Sequence, residues 1–383
     1  MNNVALLPQA DMRTSVPVQM LTSPRFDVND SAGFNQYLDK HGYVLIANVA
    51  SAADIEQTKC DFWKYYKHIV PEVRENDAST WNDTNWLGDK SNGILNSFGF
   101  NHSPMCWRIR CLPKVKKAFG SIWDTESLLV SFDACNVFRP WKINREFLTN
   151  GGWWHVDQNH FRGPNRQGKV CIQGLVTLYG VTKETGGLCV IPGSHLYHEE
   201  FCSRIPSVAN YGDFLPIAIS DEILQTCNGN LIGAQAGDLI LWDSRTIHCN
   251  TPAPAALGEQ WAHDVKVQQH TRVGGATLNS TEDEIIRLVA YVCMVPKSLA
   301  SRDHIRQRKF QFCARMGTSH WPINDHMLDL LKEDPNPAHY TDAPIDPKLC
   351  SWEMLQLVGY SEEEIKELHT TPKFFLSNPC SLM

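Results

Sequence analysis

The residues best suited to chemistry lie in WWHVDQNHF (153–161). On an extended chain alternate side chains share a face, so His155 and Asp157 can reach one ion while Val156 turns away. A third donor must come from elsewhere. His248, at the end of the apolar stretch GDLILWDSRTIHCN (237–250), is placed to supply it. Two imidazoles and one carboxylate on one face of an octahedral iron(II) leave three adjacent positions open. A bidentate 2-oxo acid and dioxygen need three such positions. With Asp157 as the carboxylate no place remains for a halide, so hydroxylase-type chemistry is expected rather than halogenation. The same donors could hold zinc for hydrolysis, or be ordinary core residues, since HxD is a short pattern in a chain with 15 His.

These side chains need a scaffold. HGYVLIANV (41–49) reads as a short buried strand, and Ser51 as the N-cap of an amphipathic helix over AADIEQTKCDFWKYYKHI. Residues 76–105 are rich in Asn, Asp, Ser and Gly and predict a long loop. SLLVSFDACNVF, GKVCIQGLVTLYGV, GGLCVIPGSH, GDLILWDSRTIHCN and IIRLVAYVCMVP then follow as strand-length apolar runs between Gly- and Pro-containing turns. Such a series favours a β-sandwich or jelly roll over an α/β fold. Three regions are expected: a loose arm (1–30), a mainly β domain with flanking helices (31–297), and a helical or irregular extension packed on it (298–383). Arg302, Arg306, Arg308 and Lys309 read as a solvated helix face.

Composition narrows the function. Hydrophobic residues make up 43% and charged residues 20%, as in an ordinary globular chain, and the net charge of −7 argues against a nucleic-acid partner. The 13 cysteines lack a CxxC pair and suggest free thiols in a reducing compartment. MNNVALLPQADMRTS has no signal-peptide pattern, and no apolar run reaches the roughly 20 residues that span a bilayer, so a cytoplasmic protein without a transmembrane segment is expected. The final CSLM fits a prenylation pattern at Cys380, although no polybasic stretch precedes it.

The succession of HGYVLIANV, HVD, GGLCVIPGSH, D-x-R-x-x-H and IIRLVAYVCMVP resembles the phytanoyl-CoA dioxygenase-like family of iron(II)- and 2-oxoglutarate-dependent oxygenases. The resemblance implies a double-stranded β-helix (a cupin-like jelly roll), iron(II) held by His155, Asp157 and His248, 2-oxoglutarate and O2 as co-substrates, and oxidation of a small molecule. It makes Arg287 the partner of the distal carboxylate of 2-oxoglutarate, with 251–284 an insertion over the site mouth. A buried carboxylate calls for a permanently charged, bidentate partner, which suits Arg. Arg272 and Arg245 are rival anchors.

Gln173, Thr177 and Tyr179 should share a strand face and could hydrogen-bond the co-substrate or the substrate, and Asn250 could contact 2-oxoglutarate. Ser131, Asp133 and Arg139 should share another face, with Asn136 opposite, and any of the four could approach the cavity. His160 is a candidate support for the site, His195 reads as structural within PGSH, and Trp153 and Trp154 could wall the cavity. A small metabolite or natural-product intermediate is the preferred substrate, ahead of an acyl-CoA and a nucleobase. From other classes, a zinc hydrolase or a non-catalytic binding protein could use the same fold.

Overall fold

The apolar runs form two facing sheets. A computed structural model describes residues 13–254, 284–323 and 344–370. The smaller sheet has the order β1 (Val18–Gln19), β11 (Gly229–Leu231), β9 (Gly187–Val190), β13 (His248–Thr251), β7 (His155–Val156) and β10 (Leu215–Pro216). The larger has the order β2 (Arg25–Phe26), β3 (Tyr43–Ile46), β12 (Leu239–Asp243), β8 (Ile172–Thr177), β14 (Arg287–Pro296), β6 (Cys135–Phe138) and β4 (Ile94–Leu95). A further strand, β5 (Leu128–Val130), pairs with the far half of β14.

Alternation along the strands separates two cores. In β3 and β12, Val44, Ile46, Leu239 and Leu241 join the large outer cluster, while Tyr43, Leu45, Ile240 and Trp242 point between the sheets. Helices α1 (Ser31–His41), α2 (Ala52–Ile69), α3 (Pro104–Arg110) and α4 (Pro113–Trp123) supply Phe34, Phe62, Ile109 and Phe119 to the outer cluster. Ser51 caps α2 as read from sequence: it accepts from the Asp54 N–H, and Asp54 reciprocates, a complete capping box. The space between the sheets is the jelly-roll interior, and the functional side chains face it.

The stretch 237–250 is two strands rather than one. β12 lies in the larger sheet, and the chain then turns and re-enters the smaller sheet as β13. Arg245 staples this turn, bonding Asp243 through Nε at 2.8 Å and Nη2 at 2.7 Å.

Two expectations need correction. Within the arm 1–30, the described residues are not loose: β1 and β2 each extend a sheet edge, and Arg25 Nη2 meets the buried Asp238 carboxylate at 2.8 Å. Arg308 does not belong to a solvated face. It is fully buried and donates to Val358 O at 3.0 Å and Val130 O at 2.7 Å, fastening the C-terminal helices to β5. Among the described residues no helix is long and apolar enough to cross a membrane. Arg272, most of the insertion 251–284, and Cys380 lie outside the described residues.

Candidate metal centre

β7 and β13 are antiparallel neighbours with His155 directly opposite His248, so both rings enter the interior at one level. Asp157 lies just past β7, two residues after His155 and on the same side, where its N–H bonds Ser244 O at 3.0 Å. His248 Nε2 stands 3.2 Å and His155 Nε2 3.7 Å from Asp157 Oδ2. One donor atom from each of the three residues lies within 4.8 Å of the others.

Each ring is fixed by its own strand. His155 Nδ1 meets Trp153 O and His248 Nδ1 meets Thr246 O, both at 2.9 Å. A carbonyl only accepts, so Nδ1 carries the proton and Nε2 turns its lone pair to the shared space. Gln173 Nε2 donates to Asp157 Oδ2 at 2.9 Å. Burial acts to raise the Asp157 pKa. The neighbouring imidazoles, His320 first and then His155, outweigh it and hold the carboxyl well below its usual range. Burial, helped by His155, lowers His248. An anionic carboxylate beside a neutral imidazole is the protonation state that a divalent cation requires.

Further along the interior, Arg287 begins β14 and is only 2% exposed. Its Nε donates to Asn136 Oδ1 at 3.0 Å and its Nη2 approaches Asn250 Oδ1 at 3.5 Å. Nη1 has no hydrogen-bond partner, and no carboxylate pairs with the guanidinium among the described residues. Burial pushes this group down to about 10, opposed by the adjacent Tyr291. Gly187 leaves the room: a Cβ there would sit 2.8 Å from Nη1. A buried cation with an open, donor-bearing side is what the far carboxylate of a 2-oxo diacid would fill, so the residues present fit both iron and 2-oxoglutarate.

The other candidates disperse. Gln173 faces the interior but holds Asp157, and Thr177 gives its hydroxyl hydrogen to Tyr179 O at 2.7 Å, leaving none for a carboxylate. Tyr179 lies beyond β8, beneath Lys59 Nζ at 4.0 Å from its ring centre, so it does not share their face. Ser131, Asp133 and Arg139 do not line one face either. Ser131 Oγ accepts from Cys293 N at 3.2 Å, whereas Arg139 turns to Trp81 O and Asp83. Asn136, expected opposite, is the residue that meets Arg287. Arg245 is committed to Asp243. His160 faces Glu199 at 3.7 Å, and His195 bonds Asp39 O at 3.0 Å. Trp154 packs outside the smaller sheet, while Trp153 stacks on His155 at 4.8 Å.

Two residues near the metal end carry no motif: Phe214, whose ring is 4.7 Å from that of His155, and His320 in the C-terminal extension. No local pattern marks either, because both arrive from segments whose place is set only by tertiary packing.

A jelly roll that joins this triad to a buried, incompletely paired arginine defines a non-haem oxygenase of the 2-oxo-acid-dependent class. The chain belongs to the phytanoyl-CoA dioxygenase family, whose profile matches residues 38–252. A curated relative, Ava biosynthesis cluster protein O of Aspergillus versicolor, is 24% identical over 295 residues, covering 74% of this chain and 83% of its own. Among solved structures, the non-heme alpha ketoglutarate dependent carbocyclase SnoK from nogalamycin biosynthesis overlaps 72% of this chain and 88% of its own, at 15% identity and TM-score 0.44. AviO1 from Streptomyces viridochromogenes overlaps 72% of this chain and 97% of its own, at 13% identity and TM-score 0.43. These overlaps are too loose to bear on the reaction.

Proposed function

We propose that the protein uses iron(II) and 2-oxoglutarate to oxidise a C–H bond of a small metabolite or natural-product intermediate, by hydroxylation, desaturation or ring closure. The observation that carries this reading is Arg287, a buried guanidinium with one side unpaired, sharing the interior with the triad. With iron(II) bound, dioxygen would be the oxidant, and 2-oxoglutarate would supply two of the four electrons it takes up, ending as succinate and carbon dioxide, while the substrate supplies the other two.

The chain's own residues do the positioning. His155, Asp157 and His248 would hold the metal through their converging donor atoms. The carbonyls of Trp153 and Thr246 keep both Nε2 atoms turned inward, and Gln173 fixes the Asp157 carboxylate. Arg287 takes the distal carboxylate in a charge-assisted pair, its plane held by Asn136 and Asn250. A zinc hydrolase would leave this arginine without a task. The name of the Aspergillus relative supports a biosynthetic setting.

The test is anaerobic loading with iron(II) and 2-oxoglutarate. A charge-transfer band should appear, and admission of oxygen should release succinate. A metabolite screen read by mass spectrometry should then find a product gaining one oxygen atom or losing two hydrogens. Absence of the band with iron bound would overturn the reading.

A further inference from the structure

The C-terminal extension brings to the metal end a polar side chain that this mechanism leaves unused. Beyond the helix Arg302–Cys313, the chain is anchored at two points. Thr318 exchanges two 3.0 Å bonds with Phe132: its N–H donates to Phe132 O, and its Oγ1 accepts from Phe132 N. Trp321 packs with Cys171 and Cys293 and lies 4.0 Å from the Arg166 guanidinium. Cys293 is in register with Gln173, the residue that holds Asp157.

His320 lies between these anchors. Its Nε2 is buried and has no hydrogen-bond partner among the described residues. Burial aside, its imidazole is the largest influence on Asp133. It is nevertheless not among the three residues whose donor atoms converge. A buried ring nitrogen left unpaired is costly, so its placement calls for a partner from outside.

A second observation concerns the aromatic side of His155. The His155 ring is sandwiched between Trp153 and Phe214, and Phe214 is 51% exposed. A large aromatic face left half open beside a metal ligand is a platform for an apolar ring. The charges nearby do not favour an anion: Arg162 and Arg166 are both engaged by Asp213 at 2.9 Å, and Asp133 shares the His320 side.

Resting on the oxygenase reading, we propose that the substrate is a mostly apolar, ring-bearing molecule with a neutral hydrogen-bonding group, a hydroxyl or an amide. Phe214 seats the ring and His320 Nε2 pairs with the polar group, so that His320 positions the substrate and does not ligate the metal.

The test uses 2-naphthol and naphthalene as probes, with equilibrium dialysis against protein loaded anaerobically with iron(II) and 2-oxoglutarate. His320→Phe keeps a ring and removes the bond, so the ratio of the two affinities should move by about fivefold or more towards naphthalene. His320→Gln, which retains a polar nitrogen, should restore part of that preference. Phe214→Ala should weaken both probes in parallel. Thermal unfolding and iron affinity, read on the same samples, should match wild type in His320→Phe. An unchanged ratio in His320→Phe, loss of iron from that variant, or failure of both probes to bind wild type would overturn the proposal while the charge-transfer band leaves the oxygenase reading standing. Loss of the band in wild type would be the separate failure of that reading.

Discussion

The two ends of the jelly-roll interior are built on opposite plans. At the metal end each histidine is locked by a carbonyl two residues earlier in its own chain, and the Asp157 carboxylate is held by Gln173. At the anchor end Arg287 depends on Asn136 and Asn250, both distant in sequence, and still keeps an unpaired nitrogen. For the three ligands the first arrangement is complete before anything binds. The second is left incomplete, and the missing part has the shape and charge of a carboxylate. Preorganisation therefore lies where the metal must not shift, and unspent hydrogen-bonding capacity lies where a small acid must enter and leave.

This contrast can be broken at either end. Asp157→Ala should have the largest effect, abolishing iron-dependent turnover, because removal of one donor in three collapses the facial arrangement. Turnover near wild type in that variant would reject the triad. Arg287→Ala should lower 2-oxoglutarate affinity by roughly 30-fold to several thousand-fold, the consequence of leaving a buried carboxylate unpaired. Arg287→Lys should recover only part of it, and iron affinity should hold in both, as titration of the charge-transfer band would report. Arg245→Ala is the control and should leave the band unchanged, since that guanidinium is spent on Asp243.

Smaller changes sharpen the picture. Gln173→Leu should reduce iron affinity by about 10- to 100-fold, the usual cost of removing a group that orients a ligand. Competition against a metal-sensitive dye would measure it. Gly187→Ala places a Cβ 2.8 Å from Arg287 Nη1, at φ +151°, and should weaken 2-oxoglutarate binding by roughly tenfold while sparing iron. Equal losses for both ligands would mean that the strand, and not the anchor alone, had moved.

The metal end was legible because its logic is local. HxD needs only the alternation of an extended chain, and His248 needs only to follow an apolar strand. Arg287 could be read for a similar reason, as a charge opening a run that must be buried. The shared face expected for Ser131, Asp133 and Arg139 fails because SLLVSFDACNVF is not one strand. Leu128–Val130 pairs with Met294–Pro296, the chain departs from pairing, and Cys135–Phe138 pairs afresh with Arg287–Ala290. Parity counted across such a break carries no meaning. Arg308 misled in a different way, since its helical neighbours Arg306 and Lys309 do pair at the surface while it is enclosed by backbone carbonyls. His320 and Phe214 had no pattern to betray them. Their positions follow from how whole segments pack, which no spacing rule encodes.

The stacking of Trp153 on His155 has an optical side. The two rings are 4.8 Å apart and only 6° from parallel, and Trp242 stands 5.5 Å from His248. Both indoles thus border the imidazoles through which a paramagnetic ion would quench emitted light. Trp153 and Trp242 would dim as the centre fills, so part of the emission would report its occupancy. The protein carries its own occupancy gauge, readable without dye, substrate or oxygen.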